Sequence, residues 1–120
     1  RINIFNNYQK QLKNFEIKKF IKRPSIPIYA KHNGHMYYIL VKNNQRNKLI
    51  KYFKQKKINT AFHYIPLHDS PYGKLKTKAQ FSMQNTDYVS KNLLRLPMHT
   101  HLRKNDIMKF VKQIQNCYKY

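Results

Sequence analysis

The stretch GHMYYILVK, residues 34–42, decides the fold of this chain. It follows a turn signal and is rich in aromatic and β-branched side chains, a composition typical of a mostly buried strand. Asn43 and Asn44 come next and are predicted N-caps of a helix. Residues 45–57 then set lysines opposite an apolar face, formed by Leu49, Ile50 and Phe53. That spacing predicts a surface helix packed against a sheet.

The residues before this strand predict one helix and one linker. Residues 1–15 favour an amphipathic helix, because their apolar side chains recur at helical spacing. Those side chains are Ile4, Tyr8, Leu12 and Phe15. Residues 22–27, KRPSIP, cannot continue the helix, since two prolines fix φ and lack an amide donor. The chain opens with an arginine inside a helical pattern, so we expect more polypeptide to precede it.

The residues after the first helix–strand unit predict a second strand and a loop. Residues 58–65, INTAFHYI, have strand composition, and Pro66 ends them because proline cannot donate to a ladder. Residues 69–84 contain a proline, a glycine and many lysines, which is typical of a loop.

The last third of the chain predicts a short helix, a strand and a closing helix. Asn85 or Thr86 would cap the short helix, which holds Tyr88, Val89 and Leu93. Residues 94–98, LRLPM, predict a third strand. The closing helix begins near Asn105 and carries an apolar stripe of Ile107, Val111, Ile114 and Tyr118. This alternation of elements predicts an α/β domain in which helices cover one face of a two- or three-stranded sheet.

Charge is the most unusual feature of the composition. The 120 residues contain 25 lysines and arginines against four acidic residues, for a net charge of +21. Such a charge attracts polyanions, so a small basic nucleic-acid-binding domain is one interpretation. Another interpretation of the charge is compositional, because the abundant residue types Lys, Asn, Ile and Tyr are all encoded by AT-rich codons. We favour the compositional explanation and consider nucleic acid an unlikely partner, because the lysines are spread along the chain and do not form one patch.

Cysteine and hydropathy indicate the compartment. Cys117 is the single cysteine, so no internal disulfide can form, and its place on the last helix predicts packing and not nucleophilic catalysis. No apolar run approaches the ~20 residues that span a bilayer. We therefore expect a cytoplasmic protein with no membrane partner.

The stretch FHYIPLH, residues 62–68, is the candidate site. Its histidines, His63 and His68, do not match a metal-ligand spacing, and a metal site needs three or four converging ligands, so no metal is predicted. Two glycines are too few for a phosphate-binding loop. Histidine can donate or accept a proton near neutral pH, and tyrosine can donate to an oxyanion. A hydroxyl-rich or phosphorylated ligand and an ordinary core position remain equally open from the residues alone.

The order of motifs resembles the C-terminal portion of the DegT/DnrJ-type sugar aminotransferases. The motifs are RPSIP, HMYYI, INTAFHYIPLH and LLRLPMHTHL, followed by a closing helix. The resemblance covers almost the whole chain. It implies the C-terminal small domain of a fold-type-I, pyridoxal-phosphate-dependent transferase, over residues 24–120, with residues 1–23 ending an inter-domain helix and linker.

The resemblance also implies a function and a site. The family's enzymes, usually homodimers, transfer an amino group from glutamate to a keto sugar linked to a nucleotide. Its pyridoxal phosphate, Schiff-base lysine and acidic partner lie in a large N-terminal domain, so no catalytic or cofactor-binding residue is predicted here, and the chain alone should be inactive. The substrate-binding residues would be His63, Tyr64, His68 and His35. The lysine-rich segment between His68 and Tyr88 departs from the family pattern, which puts the sugar specificity in doubt.

Overall fold

The computed structural model describes residues 1–76 and 82–118, and within them three strands form one antiparallel sheet. The strands, in sheet order, are β1 (Ile21–Lys22), β2 (Tyr37–Val41) and β3 (Leu93–Leu96). The helices are α1 (Ile2–Gln11), α2 (Lys13–Ile17), α3 (Arg46–Gln55), α4 (Pro71–Lys76), α5 (Gln84–Asn92) and α6 (Lys104–Cys117), and a 3₁₀ turn spans Leu67–Asp69.

The central strand β2 confirms the strand prediction for residues 34–42 within narrower bounds. Tyr37, Ile39 and Val41 are buried, and the residues between them are half-buried. Such alternation marks a strand with one face on the core. In the antiparallel register Ile39 pairs with Leu94 and Tyr37 with Leu96, so β3, the predicted third strand, adds its own buried side chains to the same face.

Helices α1, α3 and α6 cover this face, as predicted. All four stripe residues of the N-terminal segment are buried, and so are Leu49 and Phe53 of α3. Tyr8 of α1 stacks on Tyr37 at 4.8 Å between ring centroids, and Phe53 lies 4.8 Å from Phe110 of α6. Burying a side chain of this size contributes roughly 1.5–3 kcal/mol, so these contacts help to hold α1 on the sheet and α3 on α6.

The predicted second strand over residues 58–65 is wrong. In this stretch only Ala61 pairs, in an isolated antiparallel bridge with Arg95 of β3. Phe62, Tyr64 and Ile65 are exposed. Ile58 packs against the core, but the chain pairs with β3 only at Ala61, so strand composition alone did not make a strand.

Both predicted N-caps are also wrong. Asn43 and Asn44 have φ of +57° and +54°, a left-handed conformation that asparagine tolerates. They form the turn out of β2, and Gln45 precedes α3 without a side-chain cap. Helix α5 likewise begins at Gln84, one to two residues before the predicted caps.

Three boundaries differ from the prediction. Leu93, predicted in the short helix, opens β3 opposite Leu40, because cross-strand pairing holds it in the sheet. Part of the predicted loop over 69–84 is helical, namely α4 and the first residue of α5, whereas residues 77–81 lie outside the described residues. The closing helix begins at Lys104, next to the predicted Asn105, and Tyr118 is half-buried beyond its end. None of the described helices has the length and apolar character needed to cross a membrane.

Candidate functional site

His63 and Tyr64 sit just after the bridge that joins Ala61 to β3. The bridge is a reciprocal pair of hydrogen bonds, with the Arg95 amide donating to the Ala61 carbonyl at 2.7 Å and the Ala61 amide to Arg95 at 3.3 Å. It holds the chain at the sheet edge while leaving the following residues free of the ladder. The two rings lie 4.3 Å apart, with His63 half-buried and Tyr64 71% exposed.

An open groove of about 420 Å³ runs between this segment and helix α5. One wall is residues 63–66, and the other carries Asn85, Thr86, Val89 and Ser90. We call this concavity the α5 groove. The Nδ1 atom of His63 is buried and has no hydrogen-bond partner. Buried polar atoms are nearly always satisfied, so this nitrogen lacks the hydrogen bond that such an atom normally makes.

His68 lies beyond the groove and binds α5 directly. Its Nε2 is 2.7 Å from the Asp87 Oδ1 atom, and His68 is not among the groove's lining residues. The contact ties the 3₁₀ turn to the helix across a sequence separation of nineteen residues. Sequence reasoning missed Asp87, because nothing local to it signals a partner so distant in the chain.

Arg46 contacts both α5 and the residue before His63 at the other end of the groove. Its guanidinium donates to the Ser90 carbonyl of α5 and lies 5.7 Å from the centre of the Phe62 ring. Partial burial lowers the pKa of Arg46, but a guanidinium stays charged in proteins. Arg46, next to Phe62, and the His68–Asp87 pair therefore link the two ends of the segment 62–68 to α5, on either side of the groove.

His35 is apart from this arrangement. It is exposed on the loop before β2, where its backbone amide donates to the Asn33 Oδ1 atom at 3.1 Å and its ring nitrogen lies 3.2 Å from the same oxygen. The structure therefore brings His63 and Tyr64 together, links His68 to the opposite wall, and leaves His35 outside the groove lining.

The described residues do not by themselves fit pyridoxal phosphate. Their lysines are exposed, apart from a half-buried Lys42, and their carboxylates are exposed or half-buried. A Schiff-base lysine and a pyridinium partner need an enclosed site. The described residues also contain no group of three or more metal-ligating side chains.

The cysteine behaves as a packing residue. Cys117 is half-buried at the end of α6 and packs against the core. Burial is the main cause that raises the pKa of its thiol, against the opposing hydrogen bond of Tyr52 and charge of Lys48. The contact of Cys117 with the core is the packing role that the sequence predicts.

Comparison with known proteins identifies the family. The model of the DegT/DnrJ/EryC1/StrS aminotransferase family matches residues 1–115. The chain belongs to this family. A protein of Methanocaldococcus jannaschii, described only as uncharacterized, is 27% identical over 113 residues, which are 90% of this chain and 28% of that protein.

Solved structures of other proteins share the fold of this chain. The chain is similar to DesV of S. venezuelae, in complex with a ketimine intermediate, with a TM-score of 0.86 and 18% identity over 100% of this chain and 31% of that one. It is similar to NtdA of Bacillus subtilis, with bound cofactor PMP, with a TM-score of 0.84 and 19% identity over 100% and 28%. It is also similar to Helicobacter pylori PseC, an aminotransferase of pseudoaminic acid biosynthesis, with a TM-score of 0.81 and 16% identity over 99% and 32%.

These likenesses confirm the predicted fold, a small sheet packed with helices, which the chain shares with fold-type-I aminotransferases. The structural similarity extends from the first helix to the last, because the DesV and NtdA matches each cover 100% of this chain. The chain spans less than a third of the length of these relatives.

Proposed function

We propose that this family member is the C-terminal part of a pyridoxal-phosphate-dependent aminotransferase acting on a nucleotide-linked 4-keto-6-deoxy sugar. Glutamate is the proposed amino donor, and cell-surface polysaccharide synthesis in the cytoplasm is the proposed setting. Among reactions of this class we favour the formation of dTDP-4-amino-4,6-dideoxygalactose, on the motif resemblance. The proposed small domain spans residues 24–120, and residues 1–23 complete an inter-domain helix and linker.

The α5 groove is the observation that supports a role in substrate binding. It combines an unpartnered imidazole nitrogen with an exposed phenol, and its facing wall carries the amide of Asn85 and the hydroxyls of Thr86 and Ser90. Sugars are recognised by such hydrogen-bonding groups beside an aromatic or apolar surface. Val89 and Leu93 supply the apolar surface here.

Each side chain has a distinct proposed task. His63 accepts a hydrogen bond from, or donates one to, a sugar hydroxyl through Nδ1, and the Tyr64 hydroxyl donates a hydrogen bond to an acceptor oxygen of the nucleotide sugar. His68 acts through Asp87 to hold the far wall in place. His35, which is outside the groove lining, would reach substrate from the loop before β2. The amino-transfer chemistry belongs to a cofactor site in the large domain of the full enzyme, and a homodimer is its proposed assembly.

The substrate role is tested in the full-length protein that carries this chain, by following the two half-reactions separately. His63→Gln and Tyr64→Phe should raise the KM for the nucleotide sugar by about tenfold, which is ~1.4 kcal/mol of binding free energy. The glutamate half-reaction should not change. His101→Gln, an exposed histidine on a different loop, is the matched control. Equal effects on both half-reactions, or none, would refute the assignment.

The chain alone provides the second test. With added pyridoxal phosphate it should show no internal-aldimine absorbance that borohydride abolishes, because its described lysines lack an enclosed site. A saturable band traced by mass spectrometry to one lysine would contradict the proposal that the cofactor site lies in another domain.

A further inference from the structure

A second concavity lies between the segment that follows α3 and helix α6, away from the α5 groove. It has a volume of about 700 Å³ and shares no lining residue with that groove. We call it the α3–α6 cleft. Ligand sites typically have volumes of about 300–1,000 Å³ and a largely apolar lining with a few placed polar groups, so the cleft has the size of a small-molecule site.

The floor of the cleft is apolar and partly open to solvent. Phe110 of α6 is buried beneath it, and Ile58, Met98 and Leu102 are half-buried around it. The half-buried side chains pack against the core on one side and leave apolar surface uncovered on the other. A flat ring of a ligand would remove this surface from water, at roughly 25 cal/mol per Å².

The rim of the cleft is basic. Lys56 and Lys57, after α3, and Lys109, on α6, are exposed and line the same cavity. The ammonium of Lys56 lies 5.7 Å from the centre of the Tyr52 ring. Asp106 is the one carboxylate in the lining, and it accepts the Arg103 backbone amide at 3.1 Å as part of the α6 capping box.

The other acidic residues of the chain are engaged elsewhere. Glu16 pairs with Arg23, Asp69 with Lys74 and Asp87 with His68. Three lysines against one carboxylate therefore leave an uncompensated positive rim. An anion that binds among these lysines is attracted by their positive charge.

The backbone of Lys57 is left-handed, with φ of +57°, because this residue ends α3. The conformation costs a non-glycine residue roughly 1–2 kcal/mol. Lys19 adopts it at the end of α2 as well, so the strain belongs to the helix end and is not itself a sign of a ligand site. A glycine would relieve the strain at Lys57 and remove its ammonium from the rim.

We propose that the α3–α6 cleft binds an organic phosphate, a flat ring that carries one or more phosphate groups. The ring lies on the apolar floor, and the phosphates contact the lysine ammonium groups of the rim. The cleft is a different place from the α5 groove, so this proposal does not depend on the aminotransferase substrate.

The test measures binding to the ¹⁵N-labelled 120-residue chain by NMR at about 0.15 M salt, where exposed charges more than a Debye length of ~8 Å apart are largely screened. The probes are ADP, adenosine and inorganic pyrophosphate. ADP should bind saturably, shift residues around Lys57 and Lys109, and bind more tightly than either half of the molecule. Pyrophosphate binding as tight as ADP would overturn the role of the floor, and equal binding of adenosine would overturn that of the lysines.

Two charge-matched triple variants separate this site from general attraction to a basic protein. Lys56→Gln, Lys57→Gln and Lys109→Gln together should weaken ADP binding by about tenfold, or ~1.4 kcal/mol. Lys13→Gln, Lys18→Gln and Lys31→Gln remove the same charge at exposed positions outside the cleft lining and should change the affinity less than about threefold. An equal loss in both variants would mean that net charge alone attracts ADP, and the proposal would fail. The single Lys57→Gly variant, which should fold at least as well as the parent chain, gives the same test if the first triple variant misfolds.

Discussion

At the scale of single residues, the contact between Glu16 and Arg23 joins the first two helices to the linker. The backbone amide of Arg23 donates to the Glu16 Oε1 atom at 2.9 Å, and the side-chain Nε of Arg23 donates to the Glu16 Oε2 atom at 2.7 Å. The same guanidinium donates to the Gln9 carbonyl of α1. Desolvation raises the pKa of Glu16, but the hydrogen bonds and charge of Arg23 lower it more, so it lies below its ordinary value of 4.5.

This lowered pKa predicts a pH-dependent stability. A depressed carboxylate pKa stabilises the fold at pH values above the unfolded pKa, and the contribution is lost as pH falls through the folded pKa. Glu16→Gln should therefore lower the free energy of unfolding at pH 7 by on the order of 1 kcal/mol or less, because the side chain is about a third exposed. Urea unfolding should show the difference disappearing well below pH 4.5. A difference that is constant with pH would contradict this assignment.

The His68–Asp87 contact predicts a measurable coupling between the walls of the α5 groove. A double-mutant cycle with His68→Gln and Asp87→Asn should give a coupling free energy of up to ~1 kcal/mol in urea unfolding. Amide exchange in α5 should also accelerate in either single variant. Asp69 and Lys74, 2.6 Å apart but more exposed, are the control pair and should couple less. Equal coupling free energies in the two pairs would contradict the proposal that the His68–Asp87 contact holds the segment before it against α5.

At the scale of elements, the end of α3 is a Schellman motif with an unfavourable residue. The Ile58 amide donates to the Phe53 carbonyl at 2.9 Å and the Lys57 amide to Lys54 at 3.0 Å. Lys57 occupies the left-handed position of this motif, which glycine normally fills. Lys19, with φ of +59°, ends α2 with the same pair of bonds.

The Schellman geometry predicts that Lys57→Gly stabilises the chain. Relief of left-handed strain should raise the free energy of unfolding by about 1 kcal/mol, measured as a higher Tm. Lys54→Gly, inside the same helix, should instead lower it by about 1 kcal/mol, because glycine disfavours helix interiors. A destabilised Lys57→Gly would show that the lysine side chain outweighs the backbone strain.

At the scale of the whole molecule, one stretch leaves much apolar surface uncovered. Residues 64–75 include Leu67 at 86%, Leu75 at 82% and Tyr72 at 72% exposure. Apolar exposure on this scale marks an interaction surface. We propose that the large domain of the full enzyme covers it, since the chain spans less than a third of its relatives.

This exposed surface predicts the behaviour of the chain in isolation. It should bind the dye ANS and self-associate, as judged by fluorescence and sedimentation. Leu67→Lys with Tyr72→Lys should reduce both signals without lowering the Tm, because neither side chain is in the core. Met108→Lys, at another exposed apolar position, is the control and should have little effect. Unchanged dye binding in the double variant would place the interaction surface elsewhere.

Local pattern was enough for the elements that form the core. The strand at 37–41 and the apolar stripes of α1, α3 and α6 were predictable, because a buried face repeats along the chain with the period of its element. The family was also identifiable from the FHYIPLH stretch together with the motifs around it. The Asn43 and Asn44 caps failed because the same residue type favours both caps and left-handed turns.

Tertiary structure alone decided the course of residues 58–65 and the make-up of the groove. This stretch has strand composition but forms no strand. A strand requires a neighbouring strand in register along its length, and here Ala61 alone pairs with β3, at Arg95. Asp87 meets His68, and Arg46 meets Ser90, across separations of 19 and 44 residues. Sequence periodicity reports which side of an element is buried, but it carries no information on which distant side chains meet, because that depends on how the elements pack.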